Sequence, residues 1–317
     1  MNKTVSFMAL AKGKESSEGG EFKRYTGVAP CYIQAVNPNK LTLEKVYERE
    51  LEEDPSYVGE VEIDGEKVKN VRITFLAKPD PDKVHVDIAP ISVSMFIQNR
   101  YRYNKDKTKV QVIDKYGRTA WVTIDQCKNH EIPMYSNGPA NLDKDYRPAY
   151  VGEEDVTNFL KVYLNIPDVM KYNSTEKKWY LVDHPEDSEC RLDNIAHYFN
   201  GNFKEISDAI ALQPNNKIKI LFGVRTSNDG RQYQAVYTNM FLKNSVNDYG
   251  RLAKDLEERK ANGAYGTTEF AVCDFKEYEV QSTSFEAGTP VANPFAPSSS
   301  PFDTPSVSVN KTDDLPF

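Results

Sequence analysis

Between residues 71 and 124 apolar and polar residues alternate with period two, and no other feature constrains the fold of this chain as much. Val71-Arg72-Ile73-Thr74-Phe75 and Val84-His85-Val86-Asp87-Ile88 each put an apolar row on one side, as half-buried strands do. Ile91-Ser92-Val93-Ser94-Met95-Phe96-Ile97 continues the pattern. Residues 110–113, a turn at Lys115-Tyr116-Gly117 and residues 119–124 read as a hairpin. A second hairpin rises over 218–224, turns at Asn228-Asp229-Gly230 and returns over 232–242, and 268–278 reads as a closing strand. Hairpins make antiparallel neighbours, so the expected body is a mainly β barrel or sandwich with helical insertions, not a βαβ fold.

Four helices punctuate the strands. Val156, Phe159, Leu160, Tyr163 and Leu164 form one stripe, and Pro167 stops it. Tyr249, Leu252, Ala253 and Leu256 form another, ended by Gly263, and Leu43, Val46, Tyr47 and Leu51 a third with its acids facing water. Asn202 with Glu205 has the spacing of a capping box ahead of Phe203, Ile206 and Ile210. Residues 134–148, with Asn137-Gly138-Pro139, read as a loop, so a lobe boundary is placed within 133–150.

Composition divides the chain near residue 280. All 19 Tyr and both Trp precede it; after it come six Pro, seven Ser and no periodic apolar pattern. Residues 281–317 therefore read as a disordered tail on a body of 1–280, because such a segment buries too little apolar surface to offset chain entropy. Isolated phenylalanines there (Phe285, Phe295, Phe302, Phe317) suit short contacts with a partner, and a solubilising extension is the plainer reading. The net charge of −7 argues against coating a polyanion by bulk charge. Ten acids, however, lie in residues 44–66 against two bases, and four acids in the tail against one base, which leaves the remainder mildly basic. No apolar run approaches the roughly 18 residues of a membrane span. The N-terminus lacks a secretory pattern and four scattered Cys make no disulfide framework, so a reduced cytoplasm is the expected compartment.

The chain lacks the glycine-rich phosphate loops and the usual hydrolase and metalloprotease motifs, and no paired acids are spaced for catalysis. Cys127 and His130 have ligand-like spacing, and His184, Cys190 and His197 follow, but a structural zinc site needs a second close pair. Buried thiols and surface imidazoles are the better reading, so neither metal nor cofactor is expected and the protein is read as non-enzymatic.

Bases interleaved with aromatics are more informative. Residues 100–109 hold Arg100, Tyr101, Arg102, Tyr103, Lys105, Lys107 and Lys109 with one acid, Asp106. Basic grooves follow a nucleic-acid backbone while aromatic faces stack on unpaired bases. Tyr101 and Tyr103 also share parity with Ile91–Ile97 and so could extend the core face. Trp121 opposes the apolar row Ala120, Val122 and Ile124, and with Tyr116 and Arg118 nearby it reads as a stacking platform, or as a ring covered by an insertion or a subunit contact, which leaves self-association open. Arg231, Tyr233 and Tyr237 share a parity, with Arg225 on the facing strand, and Lys177-Lys178-Trp179-Tyr180 makes a further cluster.

The chain ends Asp313-Asp314-Leu315-Pro316-Phe317. This tip resembles that of bacterial and phage single-stranded DNA-binding proteins: acids, a branched apolar residue, proline and a terminal phenylalanine. The resemblance implies an OB-fold-like antiparallel barrel core that binds single-stranded DNA during replication, recombination or repair. It also implies a tail that recruits polymerase, helicase or recombinase. Phe317 with its carboxylate and Pro316 would fill a partner's apolar pocket, while Asp313 and Asp314 would meet basic residues around it. The length beyond one OB-fold points to a divergent, phage-encoded member acting in the host cytoplasm. On these readings Arg100, Tyr101, Arg102, Tyr103, Lys105, Lys107, Tyr116, Arg118, Trp121, Arg225, Arg231, Tyr233 and Tyr237 are the candidate DNA-binding residues. The alternative is an interaction or virion-associated structural protein that binds no DNA and docks through its tail.

Overall fold

A computed structural model describes residues 23–135 and 139–279. The strands are β1 (Tyr25–Val36), β2 (Val58–Ile63), β3 (Glu66–Pro79), β4 (Ile91–Tyr101), β5 (Lys109–Ile113), β6 (Thr119–Thr123), β7 (Arg147–Pro148), β8 (Tyr150–Val151), β9 (Met170–Asn173), β10 (Lys178–Leu181), β11 (Ile218–Thr226), β12 (Gln232–Val236), β13 (Leu242–Lys243), β14 (Thr268–Phe270) and β15 (Lys276–Glu277). The α-helices are α1 (Lys40–Tyr47), α2 (Pro81–Val84), α3 (Ile124–Lys128), α4 (Glu153–Tyr163), α5 (Ile195–Tyr198), α6 (Lys204–Ala211) and α7 (Gly250–Ala261). The fold is mainly β with helical insertions, built on a curled antiparallel sheet of order β12-β11-β1-β3-β4-β8.

β1 is the hinge of that sheet. Its first half pairs with β11 and β15, its second half with β3, and the register shifts between Ile33 and Ala35 where the strand bends. Gly27, at φ +107, lets the chain pass so close that a Cβ there would lie 2.5 Å from the Asp274 carbonyl oxygen.

Alternation along the strands sorts residues onto two faces. Ala29, Cys31, Ile33, Val71, Ile73, Phe75, Val93, Met95, Ile97, Ile218, Ile220 and Phe222 face one core, closed by α4, α5 and α6. Phe159 of α4 stacks on Phe75 with centroids 4.1 Å apart and meets Phe241 edge-on at 4.9 Å. Truncating Phe159 to alanine removes contacts on both sides, at a cost of about 3–5 kcal/mol. On the reverse face Val28, Leu221, Tyr237 and Phe270 are covered by Leu252 and Leu256 of α7.

β3 is buried on both sides, since Arg72, Thr74 and Leu76 of its outer row are also covered. The cover is α1 and the segment after it: Arg72 lies over the Tyr57 ring and donates to the Ser56 carbonyl at 3.2 Å. The acid-rich stretch thus has a structural task, with Glu60 and Glu62 of β2 opposite Lys69 and Lys67 of β3. It is not a segment apart from the body.

Several expected elements differ. Residues 84–88 are not a strand: Asp80 caps a helical turn with Pro81 at its first position, Val84 ends it and His85 turns left-handed at φ 57. A cap and a proline outweigh five residues of alternation. Helix α6 forms as expected without the capping box; Asn202 accepts from the Lys204 amide, and Glu205 accepts from the Tyr198 hydroxyl. The closing strand is broken into β14 and β15, and the return of the second hairpin stops at Val236 before β13 resumes at Leu242. Asn137 and Gly138 lie outside the described residues, as does the whole tail.

Candidate nucleic-acid interface

β5, β6 and β7 form a separate three-stranded ribbon beside the end of β4. One face of the ribbon packs Val110, Val112 and Val122 against Leu142 and Tyr146, so the loop after residue 139 closes a small core here. Two buried carboxylates anchor the ribbon. Asp114 accepts from the backbone amides of Tyr116, Arg118 and Asp143 and pairs with the Arg118 guanidinium at 2.7 Å. Glu153, at the start of α4, accepts both arms of Arg147 at 2.6 and 2.9 Å.

The other face carries the row of interest. The Gln111 amide donates to the Arg102 carbonyl at 2.8 Å, and Gln111 is directly opposite Trp121, so Arg102, Gln111 and Trp121 lie side by side across three adjacent segments. Glu154 of α4 ties the row from below: it accepts from Arg102 at 3.2 Å, from Gln111 at 2.8 Å and from the Thr119 hydroxyl at 2.9 Å. Above this network the indole of Trp121 is 43% exposed, with the Arg102 guanidinium 5.8 Å from its centroid. An aromatic face that stays in water beside a fixed cation is the geometry on which an unpaired base stacks while its phosphate is neutralised.

Cations surround the row. Lys109 sits opposite Thr123, on the same side as Gln111. Lys105 and Lys107 lie in the turn between β4 and β5, and the one acid there is engaged locally: Asp106 accepts from the Thr108 hydroxyl and amide, which holds its carboxyl below the usual range. Arg100 donates to Gln98 at 2.8 Å.

The remaining predicted residues divide. Tyr101 and Tyr103 do not extend the core face; β4 shifts register between Gln98 and Tyr101, and the two rings are 41% and 46% exposed. Tyr103 bridges Val110, on the side away from Trp121, and Tyr101 leans on Tyr150 at 5.1 Å. Tyr116 and Arg118 are not part of an open platform: Tyr116 is buried between Lys115 and Arg118, and buried Asp114 takes up the guanidinium. Arg225 pairs with Tyr233, which keeps 39% of its surface, and Arg231 pairs with Asp229 at 3.3 Å. Tyr237 is fully buried, donates to Asp255 at 2.5 Å and packs on Tyr265 and Phe270, so its ring has no face to offer. The parity that joined it to Tyr233 ends with β12 at Val236. The partner-binding tip, Asp313 to Phe317, lies outside the described residues.

Sequence reasoning missed Gln111 and Glu154. A lone amide inside the apolar strand Lys109-Val110-Gln111-Val112-Ile113 is a signal, because a polar side chain 5% exposed needs partners. In the sequence Glu154 carries no signal beyond that of an acid in the first turn of a helix. Among the described residues no group of three or more His, Cys, Asp or Glu is placed to hold a metal ion. His130 packs on Tyr146 at 5.0 Å, and burial pushes the Cys190 thiol up to about 11. No family model matches the chain, and no curated protein or solved structure matches it.

Proposed function

We propose that this chain is a non-enzymatic protein that binds single-stranded DNA on the β4–β6 surface and serves replication, recombination or repair. The observation that carries this reading is the exposed indole of Trp121 beside Arg102, held by Glu154 and Gln111. Such an arrangement stacks any base and engages any phosphate, and so binds without reading sequence. The curled antiparallel sheet around the bent strand β1 supports reading the core of the body as an OB-like barrel, with the β5–β7 ribbon and the helices as insertions. The tip Asp313-Asp314-Leu315-Pro316-Phe317 is, in this reading, the recruiting peptide for polymerase, helicase or recombinase in the host cytoplasm.

The test is fluorescence anisotropy of a labelled poly-dT oligonucleotide against the full chain, with a salt titration and a duplex control. Tight single-strand binding whose log affinity falls linearly with log salt, with weak duplex binding, is the expected result. No binding at low salt overturns the reading and leaves a protein that docks through its tail alone.

A further inference from the structure

Among the described residues β9 and β10 form a two-stranded ribbon that pairs with no other strand. Its register sets Tyr172 opposite Trp179 and Met170 opposite Leu181, so these four side chains share one face. Tyr172, Trp179 and Leu181 are 48%, 43% and 53% exposed, and the Tyr172 and Trp179 rings meet at 5.1 Å. The other face holds Lys171, Lys178 and Tyr180, and Lys177 sits in the turn. The ribbon's only acid, Glu176, is occupied by the Tyr180 hydroxyl. Among the described residues none of the three lysines takes part in an ion pair, whereas many cations elsewhere do.

We propose that this ribbon is a second contact for single-stranded nucleic acid, in which bases stack on the Tyr172–Trp179 pair and phosphates are met by Lys171, Lys177 and Lys178. The proposal rests on the single-strand reading of the β4–β6 surface and extends it to a separate element. Charge argues for a polyanion: the ribbon carries three uncommitted cations, two behind the apolar stripe and one in the turn, and its one acid is engaged. Shape argues for an unpaired strand. A ribbon of only two strands, about 5 Å apart, is narrow enough for lysine side chains to reach round its rim towards a chain lying on the aromatic face. Rings left in water on both this ribbon and the β4–β6 row present π-faces that bases of a single strand can reach and paired bases cannot.

The two tryptophans of the chain fall one on each surface, which makes them separate reporters. W121F leaves Trp179 as the only indole, and W179F leaves Trp121. Each variant is titrated with poly-dT at low salt and its emission followed, with far-UV circular dichroism as the folding control. The expected result is saturable quenching of both indoles. In a second measurement, the combined K171Q, K177Q and K178Q variant lowers the slope of log affinity against log salt by about 2, since each single-strand phosphate contributes about 0.7. That slope stands as the test should W121F fail to fold. Quenching of Trp121 alone, with an unchanged slope for the lysine variant, overturns the ribbon contact and leaves the β4–β6 reading standing. Quenching of neither overturns both. Quenching of Trp179 alone upholds the ribbon and removes Trp121 from the interface. A blue-shifted Trp179 emission that ignores DNA, or that follows protein concentration instead, shows the stripe covered by protein and overturns the proposal.

Discussion

Arg102 lies 5.8 Å from the Trp121 ring while its guanidinium is bonded to Glu154 at 3.2 Å, so the cation is held beside the indole before any ligand arrives. Holding it costs some of its charge, because Glu154 neutralises what a phosphate would otherwise meet. On the proposed single-strand reading the arrangement trades affinity for a fixed position, and the two residues should fail in different ways.

Substituting Trp121 with alanine removes stacking and leaves the ion count alone. The expected loss is about 1–3 kcal/mol of single-strand affinity with an unchanged salt slope. Arg102→Gln keeps a polar side chain near Glu154 but drops one cation, so its slope falls by about 0.7. Equal slopes for wild type and Arg102→Gln would show that Arg102 meets no phosphate.

Tyr233 and Tyr237, two positions of one parity, should separate in the same way. Tyr237 fills the core under α7 and bonds Asp255, so Tyr237→Ala should cost about 3–5 kcal/mol of stability. Tyr237→Phe removes only the hydroxyl, at about 1 kcal/mol, since Asp255 keeps Arg259 at 3.1 Å. Tyr233→Ala, at a partly exposed site, should change stability by no more than about 0.5 kcal/mol while weakening DNA binding. Thermal melts beside anisotropy read both effects.

These residues also show what could be read in advance. The rows Val71–Phe75 and Ile91–Ile97 were legible because one face of each is core, and a period of two survives wherever burial enforces it. Trp121 stood out for the converse reason, as a large ring on the polar side of a strand. Parity misled where a strand ended sooner than its pattern, at Val236, or where a cap and proline intervened, at Asp80 and Pro81. Glu154 could not be read, because its partners Gln111 and Arg102 lie 43 and 52 residues away in the chain. Local pattern carries no trace of a bond made by tertiary packing.

Lys177 occupies the left-handed region at φ 53 in the β9–β10 turn, where hairpins usually place glycine. A side chain there costs about 1 kcal/mol. Lys177→Gly should therefore strengthen the turn, whose Asn173 carboxamide already accepts from the Thr175 and Glu176 amides at 3.0 and 3.2 Å. Slower amide exchange in the ribbon, together with a salt slope lower by about 0.7, is the expected pair of results. Slower exchange with an unchanged slope would mean that the lysine serves neither stability nor binding.

Asp155 gives the surface a dependence on pH. Its carboxyl is pushed up from the usual aspartate value chiefly by desolvation and then by Glu154, while Arg102 and Arg259 oppose the shift. A carboxyl raised in the folded state contributes stability that is full below the unfolded value of about 3.9 and is lost as pH rises through the folded value. Asp155 is an exposed acid in the first turn of α4, where the helix dipole favours its negative charge and offsets the shift, so Asp155→Asn should change stability by no more than about 0.5 kcal/mol. The same negative charge lies close enough to Arg102 to weaken its hold on a phosphate. Asp155→Asn should bind single-stranded DNA more tightly than wild type at pH 7, and the gap should close as pH falls and the wild-type carboxyl takes up its proton. Because Glu154 and Asp155 feel each other's charge, the difference between the two curves reads the pair and not Asp155 by itself. A gap that stays constant down to pH 4 would place Asp155 outside the electrostatic reach of the bound strand.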